Sequence, residues 1–313
     1  MSLSASVVIC THDRPAYLAR AAYGVLTQTR RPIELIVVND GADEIDAGLA
    51  RQAADARVRF AGIRRDRPSL PASRNAGMAA AAGDVVLLLD DDMILPPGFL
   101  ADLLSLYEAD AAGQVAGIGA VALPTQPRRF AQRLWDAAAG ILGRDRWPPR
   151  RCVARSVRLP AGLRGRLTPA RRLTGGTISL RRAVAKEERF DEHLPAYALG
   201  EDREFCYRIG QRRALFCCPH LRMTHETTSP GRPDMVGLGR MYVLNTLRIA
   251  ARSTGGGAGA ALLAGYELAG TALLHGVWMM LGNRRAHAGF LAGMAGGFAE
   301  ATRSVLGEML CGH

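Results

Sequence analysis

The sequence predicts an α/β protein in which a mostly parallel central sheet is flanked by helices and followed by a C-terminal helical extension. Short apolar runs typical of buried strands recur at 6–11, 33–40 and 57–63, and segments with helical spacing separate them. This alternation is typical of parallel βαβ units. The length of 313 residues and the hydrophobic content of 48 % allow one large domain or two modest ones.

The N-terminal elements follow from local patterns. Leu18, Ala21 and Val25 recur at helical spacing on one face, and Gly83 is a natural stop for the helix that precedes it. Five apolar residues then run directly into three aspartates. We expect helices at 14–28, 44–54 and 69–83, and a strand at 84–89.

The pattern changes in the second half of the chain. An Arg- and Pro-rich segment, 124–172, interrupts the alternation, and a Gly-Gly turn at Gly175 and Gly176 restarts it. Acidic residues open the helix that begins near Gly200. We expect strands at 114–124, 172–182 and 214–226, and a helix at 200–213.

The last eighty residues are apolar and helical. A flexible break at 254–260 precedes the stretch 261–282, which is long enough to span a bilayer. Glu267 and His275 interrupt that stretch at the depth where ionisable groups cost most. We therefore expect helices that lie at the membrane surface or pack on the core, rather than a membrane span.

The positive charge is concentrated in one segment. Residues 124–172 hold thirteen arginines and two aspartates, a surplus that equals the net charge of +11 of the whole chain. Lys186 is the only lysine, so a bias toward arginine explains the residue type but not the clustering. We expect this segment to face an anionic partner. Trp135 and Trp147 within it could stack on sugar, lie against lipid or be buried in the core.

Cellular location is bounded weakly. No basic stretch followed by an apolar one opens the chain, so no secretory leader is evident and we expect a cytoplasmic protein, with the inner face of the plasma membrane as its contact. The six cysteines show no CxxC pair and no metal-ligand spacing, which favours reduced, packed thiols.

Polar residues follow three of the predicted strands, where each strand ends. These clusters are 11–13, 39–40 and 90–92. Ligands of open α/β sheets bind outside the carboxyl ends of the strands, so the three clusters should meet at one edge. The three adjacent aspartates repel one another unless a cation neutralises them, and Mg²⁺ or Mn²⁺ shared with phosphate oxygens would do so. A solvated turn remains the alternative.

Five motifs in order carry a more specific signal. They read "SVVICTHDRP", "IELIVVNDGADE", "LPASRNAG", "VVLLLDDDMILPPGFL" and "GEDREFCYRI". Together they resemble the family 2 inverting glycosyltransferases that use nucleotide sugars and have the GT-A fold, a Rossmann-like sheet. The resemblance covers residues 5 to about 226. The C-terminal helices more loosely resemble the tails of bacterial members that build cell-surface or lipid-linked glycans.

The resemblance implies a nucleotide-binding set. Thr11 and Asp13 match the loop that touches base and ribose, and Asp40 matches the acid that binds the base. Asn39 stands where the family usually has Asp, and its amide can still orient the loop. Arg74 matches a residue near the nucleotide, although a helix-surface arginine is the plain alternative. The residues expected to bind the nucleotide are Thr11, His12, Asp13, Asp40, Arg74, Asp90 and Asp91.

The resemblance also implies a metal site. Asp90 would lie near ribose and metal, Asp92 would be the direct ligand of Mg²⁺ or Mn²⁺, and His225 would complete the site. A lone histidine is more often structural, and that reading stays open for His225.

Inverting transfer needs a base as well. An acceptor hydroxyl displaces the nucleotide at the anomeric carbon and must lose its proton, which a carboxylate can accept. Asp202 is the expected base and Glu201 its positioning partner; acids that merely open a helix are the alternative. Gly175 and Gly176 could allow the backbone to approach donor or acceptor, or form a plain turn.

Partners and organisation follow from this reading. The expected donor is a UDP-sugar, less readily a dTDP- or GDP-sugar, and the acceptor is a glycan, a lipid-linked sugar or a small molecule, with membrane-surface contact and no nucleic acid. Residues 1–123 would bind the nucleotide sugar, 124–230 would bind the acceptor and catalyse, and 231–313 would form the membrane-associated helices. A sugar nucleotidyltransferase would need a Gly-rich phosphate loop, which "VVICTHDRP" lacks. A non-catalytic anion-, nucleic-acid- or membrane-binding scaffold would leave both acidic motifs without a purpose.

Overall fold

A computed structural model describes most of the chain and divides it into two compact units. The described residues are 2–125, 130–142, 152–194, 198–226, 234–254, 256–281 and 284–311. Unit 1 comprises 1–126, 149–196 and 201–229, and unit 2 comprises 127–148, 197–200 and 230–313. The division of roles among 1–123, 124–230 and 231–313 stays a prediction.

Unit 1 is built on a single sheet. Within the described residues its nine strands are β1 (Ala5–Thr11), β2 (Glu34–Asn39), β3 (Arg59–Arg64), β4 (Val85–Asp90), β5 (Met93–Ile94), β6 (Val115–Pro124), β7 (Thr168–Pro169), β8 (Thr177–Arg181) and β9 (Ala214–His225). They are ordered β3-β2-β1-β4-β8-β6-β9-β5, and β7 pairs with β9.

Both units contain helices. They are α1 (Pro15–Leu26), α2 (Ala47–Asp55), α3 (Leu70–Ala80), α4 (Phe99–Glu108), α5 (Phe130–Ile141), α6 (Arg182–Glu187), α7 (Glu201–Ile209), α8 (Met235–Thr254), α9 (Gly257–Leu281) and α10 (Arg284–Cys311). Two 3₁₀ turns, at Val153–Arg155 and Ala161–Leu163, lie in the Arg-rich segment.

The predicted fold class is confirmed, and the sheet is mixed rather than mostly parallel. β3, β2, β1 and β4 run parallel, whereas β8 is antiparallel to both β4 and β6. The reason is where β8 begins: Thr177 pairs with Leu89, so β8 starts at the edge where β4 ends and runs back across the sheet. The Gly-Gly turn therefore lies beside the three aspartates.

The parallel strands are buried on both faces. On β1, Val7 and Ile9 belong to one hydrophobic core, and Val8 and Cys10 belong to the other. Helices can cover both faces because parallel strands are linked by crossovers, and such strands read as continuous apolar runs. The run "SVVIC" has this pattern, so sequence and packing agree.

Unit 2 is helical. α8, α9 and α10 enclose a small core that includes Tyr242, Leu268 and Phe290. Glycines let α8 and α10 approach closely: a Cβ added at Gly239 or Gly293 would lie 2.0 Å from a carbonyl oxygen of the other helix. The expected break at 254–260 is shorter than predicted, since α9 already begins at Gly257.

Candidate active site

The three polar clusters meet at the carboxyl edge of the parallel strands. Thr11 pairs in register with Asn39 on β2, and Cys10 pairs with Asp90 on β4. Register therefore brings the ends of β1, β2 and β4 together, and the Thr11 hydroxyl donates a hydrogen bond of 2.7 Å to Oδ2 of Asp91. The convergence expected from the sequence is present.

Asp40 joins the first loop to the start of α3. His12 Nδ1 lies 3.0 Å from its Oδ1, while Oδ2 accepts the Ser69 N–H at 2.8 Å and the Ser73 hydroxyl at 3.0 Å. The neighbouring Asn39 accepts the N–H of Gly41 through its side-chain oxygen. The amide thus orients the loop, as expected for an Asn at this position.

Asp13 has a strained backbone. Its φ is +49°, in the left-handed region, and its Oδ1 accepts the Asp43 N–H at 3.0 Å. That hydrogen bond holds the pKa of the Asp13 carboxyl below its usual value. Gly41 is required here, because a Cβ on it would lie 2.2 Å from Oδ1 of Asp13. Strain of this kind concentrates at functional sites.

Two arginine guanidinium groups neutralise the three aspartates. Arg14 contacts Asp91 through Nη1 at 2.8 Å and Asp92 through Nη2 at 3.2 Å. Arg74 contacts Asp90 through Nη2 at 2.8 Å. Burial raises the pKa of Asp91 to about 7, against the opposing hydrogen bond from Thr11 and the charge of Arg14. Arg14 lies in "THDRP", but nothing in the sequence marks it as the partner of residues 77 and 78 positions away.

Asp92 and His225 form the candidate metal-binding pair. Main-chain pairing aligns β5 with β9 so that Met93 is opposite His225, and Nε2 of His225 lies 3.7 Å from Oδ2 of Asp92. Both side chains are partly exposed, 12 % for Asp92 and 26 % for His225. A carboxylate beside an imidazole at a reachable edge suits a divalent cation. Among the described residues no group of three or more His, Cys, Asp or Glu side chains could hold a metal alone.

Arg74 lies in the interior and connects the two acidic motifs. Its side chain is 1 % exposed. Its Nη1 donates to Oε1 of Glu201 at 2.6 Å, and its Nη2 donates to Oδ1 of Asp90. Burial by itself would lower the pKa of Arg74, but the charges of Asp90 and Glu201 outweigh this effect, and the pKa lies above its usual value. The surface-arginine alternative is wrong, because Arg74 is a buried ionic link.

Glu201 and Asp202 open α7 and are both buried. Burial, with the charge of Asp202, raises the pKa of Glu201 to about 7, although Arg74 acts against it. Asp202 is held by Arg172, whose Nε donates to Oδ2 at 3.0 Å, and by the Gly175 N–H at 3.1 Å. Arg172 was not singled out from the sequence, where it is one of thirteen arginines in its segment.

The Gly-Gly turn lies against the acidic groups. A Cβ on Gly175 would lie 3.1 Å from both Arg74 Nη2 and Glu201 Oε1, and one on Gly176 would lie 2.9 Å from Oδ2 of Asp90. The turn therefore allows close backbone approach to the acids, which a plain surface turn would not require.

Trp135 and Trp147 have different outcomes. Trp135 belongs to unit 2, where its ring contacts the rings of His275, Trp278 and His287 at 4.9 to 5.4 Å between centroids while staying partly exposed, so its contact with sugar or lipid stays a prediction. Trp147 lies outside the described residues, as do Arg150 and Arg151 of the Arg-rich segment.

The comparison with known families decides the identity. The sequence profile described as glycosyl transferase family 2 matches residues 6–171, which is more than half of the chain. The chain belongs to glycosyl transferase family 2. The match covers β1 to the Arg-rich segment, including the clusters 11–13, 39–40 and 90–92.

Individual curated relatives match only part of the chain. The glucosyl-dolichyl phosphate glucuronosyltransferase of Haloferax volcanii is 30% identical over 108 residues, covering 34% of each chain. The chain spans about a third or less of the length of the first curated relatives it matches.

Solved structures support the fold. The mannosyltransferase PcManGT from Pyrobaculum calidifontis, in complex with GDP-Man and Mn²⁺, has a TM-score of 0.53 at 14% identity, covering 97% of this chain and 83% of its own. TarS of S. aureus, residues 1–349 in complex with UDP, has a TM-score of 0.53 at 14% identity, covering 85% and 71%. At this identity the likeness establishes the GT-A fold.

Proposed function

We propose that this family 2 protein is a metal-dependent glycosyltransferase that moves a sugar from a nucleoside diphosphate to an acceptor hydroxyl, with inversion at the anomeric carbon. One observation carries the proposal: Arg74 joins Asp90 of the aspartate motif to Glu201 of the second acidic motif. The two acidic motifs thus share one buried ionic link, which supports their belonging to a single reaction centre. Family membership supports the same activity.

The donor would bind along the carboxyl edge of β1, β2 and β4. A cleft there is lined by Thr11, Asp13 and Asn39 together with residues of α2. Hydrogen-bonding side chains at this edge suit a base and ribose, and the sheet edge is where nucleotides bind in such folds. A UDP-sugar is favoured, with dTDP- and GDP-sugars as alternatives; TarS was solved with UDP and PcManGT with GDP-Man.

Asp92 and His225 would hold Mg²⁺ or Mn²⁺, with Asp90 nearby. Because no larger ligand cluster is present among the described residues, donor phosphates and water would complete the coordination, which is usual for these ions. When bound, the ion supplies positive charge that stabilises the leaving diphosphate. Arg14 bonds Asp92 and would have to share that carboxylate with the ion.

Asp202 would act as the general base. The acceptor oxygen forms a bond to the anomeric carbon, the bond from that carbon to the diphosphate oxygen breaks, and the hydroxyl proton moves to Asp202. Arg172 donates to both oxygens of this carboxylate, so acceptor binding must free at least one of them. Glu201 has a positioning role, since it holds Arg74.

The acceptor would be a glycan, a lipid-linked sugar or a small molecule that carries negative charge. Arg155, Arg158, Arg164 and Arg166 are exposed on the described part of the Arg-rich segment, and Arg172 extends from the same segment to Asp202. Exposed arginines attract anionic groups, which also supports contact with the cytoplasmic membrane surface.

The test is turnover of UDP-, dTDP- and GDP-sugars with Mg²⁺ or Mn²⁺ in the presence of candidate acceptors. Turnover is measured as release of the nucleoside diphosphate. Asp202→Asn should lower acceptor-dependent turnover by about 10²- to 10⁴-fold because the base is lost, while donor binding is retained. Asp102→Asn, on the exposed face of α4, is the matched control. Full activity of Asp202→Asn would refute its role as the base, and no turnover of any donor would refute the activity.

A further inference from the structure

Helix α9 has the opposite polarity to a helix on the surface of a water-soluble protein. Among Asp, Glu, Lys, Arg and His residues, α9 contains only Glu267 and His275. Both side chains point inward, at 0% and 6% exposure. Its exposed side is apolar: Leu262 is 75% exposed and Met280 72%. A surface helix in water places its polar residues outward and its apolar residues toward the core.

The inward polar side chains have partners inside unit 2. The Tyr242 hydroxyl donates to Oε1 of Glu267 at 2.7 Å. The His275 ring stacks on Phe290 with 3.8 Å between centroids and meets the edge of Trp135. Ionisable residues that face the bundle interior and bond to neighbouring helices are typical of helices in contact with lipid. The burial of Glu267 and His275 therefore removes the reason for which the sequence disfavoured insertion.

Helix α5 also exposes large apolar side chains, beside the exposed Arg133 and Asp136. Phe130, Leu134 and Ile141 are exposed at spacings of four and seven residues, which places them on one side of the helix. The Tyr266 hydroxyl donates to the Ile141 carbonyl at 3.2 Å, so the C-terminal end of α5 adjoins α9. We name this surface the α9–α5 face. Its members are Phe130, Leu134, Ile141, Leu262, Tyr266, Leu273, Met280 and Leu281.

Basic residues flank α9. Arg252 precedes α9, and Arg284 and Arg285 follow it; all three are exposed. Basic residues at both ends of an apolar stretch match the anionic headgroups on either side of a hydrocarbon layer. Arg240 of α8 and Glu300 of α10 form an exposed ion pair at 2.6 Å, so these two helices carry polar surface of the kind expected in water.

Size also distinguishes this face from ordinary surface variation. α9 has 25 residues, about 37 Å at 1.5 Å per residue, and it is long and apolar enough to cross a membrane by length and composition. Contiguous apolar surface on this scale marks an interaction site. We propose that lipid hydrocarbon covers the α9–α5 face and that Arg252, Arg284 and Arg285 bind anionic headgroups of the same bilayer. This proposal does not depend on the catalytic assignment.

The test is flotation of the full chain with vesicles of phosphatidylcholine, alone or with phosphatidylglycerol. Leu262→Glu and Leu273→Glu should each reduce vesicle binding by about tenfold or more, since each places a charge in hydrocarbon. The matched control is Tyr23→Glu, at an exposed position of α1 in unit 1, which should bind like the unmodified chain. Arg284→Ala combined with Arg285→Ala should weaken binding only to the anionic vesicles. Unchanged binding of both leucine variants would overturn the proposal.

A second measurement covers variants that fail to fold. Leu273→Trp keeps the position apolar, and its fluorescence should be quenched by vesicles with brominated acyl chains, whereas that of Tyr23→Trp should not, each taken against the background of the native tryptophans. Absence of quenching in a folded, vesicle-bound Leu273→Trp variant would refute lipid contact. A second outcome would also refute lipid contact: the protein forms a homodimer, and Leu273→Glu dissociates that dimer without loss of vesicle binding. A second copy of the chain would then cover the face.

Discussion

Unit 1 and unit 2 both bury ionisable side chains, but in opposite settings. In unit 1, Asp90 and Asp92 lie at a sheet edge, paired with arginines and partly exposed, and Asp202 of α7 is paired with Arg172. In unit 2, Glu267 is enclosed by helices whose exterior is apolar. A buried acid paired with a cation at an accessible edge is available for chemistry. One bonded inside a bundle stabilises an arrangement of helices, so burial alone does not identify a catalytic group.

The largest stability effect should come from breaking the ionic link of unit 1. Arg74→Ala leaves Asp90 and Glu201 without their shared cation, and removal of one partner of a buried pair costs about 3–5 kcal/mol. In unit 2, Arg240→Ala removes an exposed pair and should cost far less stability, because solvent screens such a pair. Denaturant unfolding of both variants measures the difference. Equal losses would show that the two regions do not differ as described.

A smaller effect should appear in the pH dependence of stability. Burial raises the pKa of Glu201 from 4.5 to about 7, so the folded state keeps a proton that the unfolded state releases between these values. The free energy of unfolding therefore falls as pH rises from about 4.5 to 7, and this contribution is constant above 7. Glu201→Gln cannot titrate and should gain a few degrees in Tm relative to the unmodified protein between pH 5 and pH 8.

The comparison is internally controlled, because other groups with raised pKa values, such as Asp91, titrate in both proteins and cancel in the difference. A Tm difference between Glu201→Gln and the unmodified protein that does not change with pH would show that Glu201 is not a buried titrating acid.

The parallel half of unit 1 was predictable because its signals are local. Continuous apolar runs such as Val85–Leu89 specify strands buried on both faces, and the polar residues that follow them locate the edge. Direction was not predictable for β8, since nothing within "TISLR" encodes which way the strand runs. That depends on where the Gly-Gly turn lies in three dimensions.

The site was predictable in its acids but not in their partners. Asp90–Asp92 and Glu201–Asp202 stand out as motifs, whereas Arg14, Arg74 and Arg172 join them across large separations in sequence. In a chain with so many arginines, pairing cannot be read from residue type. The polarity of α9 was missed for the same reason: Glu267 and His275 are visible in the sequence, but the direction in which they point is a tertiary property.

The most direct test of the central claim, that the edge of unit 1 binds a nucleoside diphosphate together with a metal, is calorimetric titration with UDP, dTDP, GDP and CDP, with and without Mn²⁺. The unmodified protein should bind one nucleotide in a metal-dependent way, Asp92→Ala should lose this dependence, and Asp102→Ala should retain it. No binding of any nucleotide by the folded protein, or unchanged metal-dependent binding by Asp92→Ala, would contradict the account.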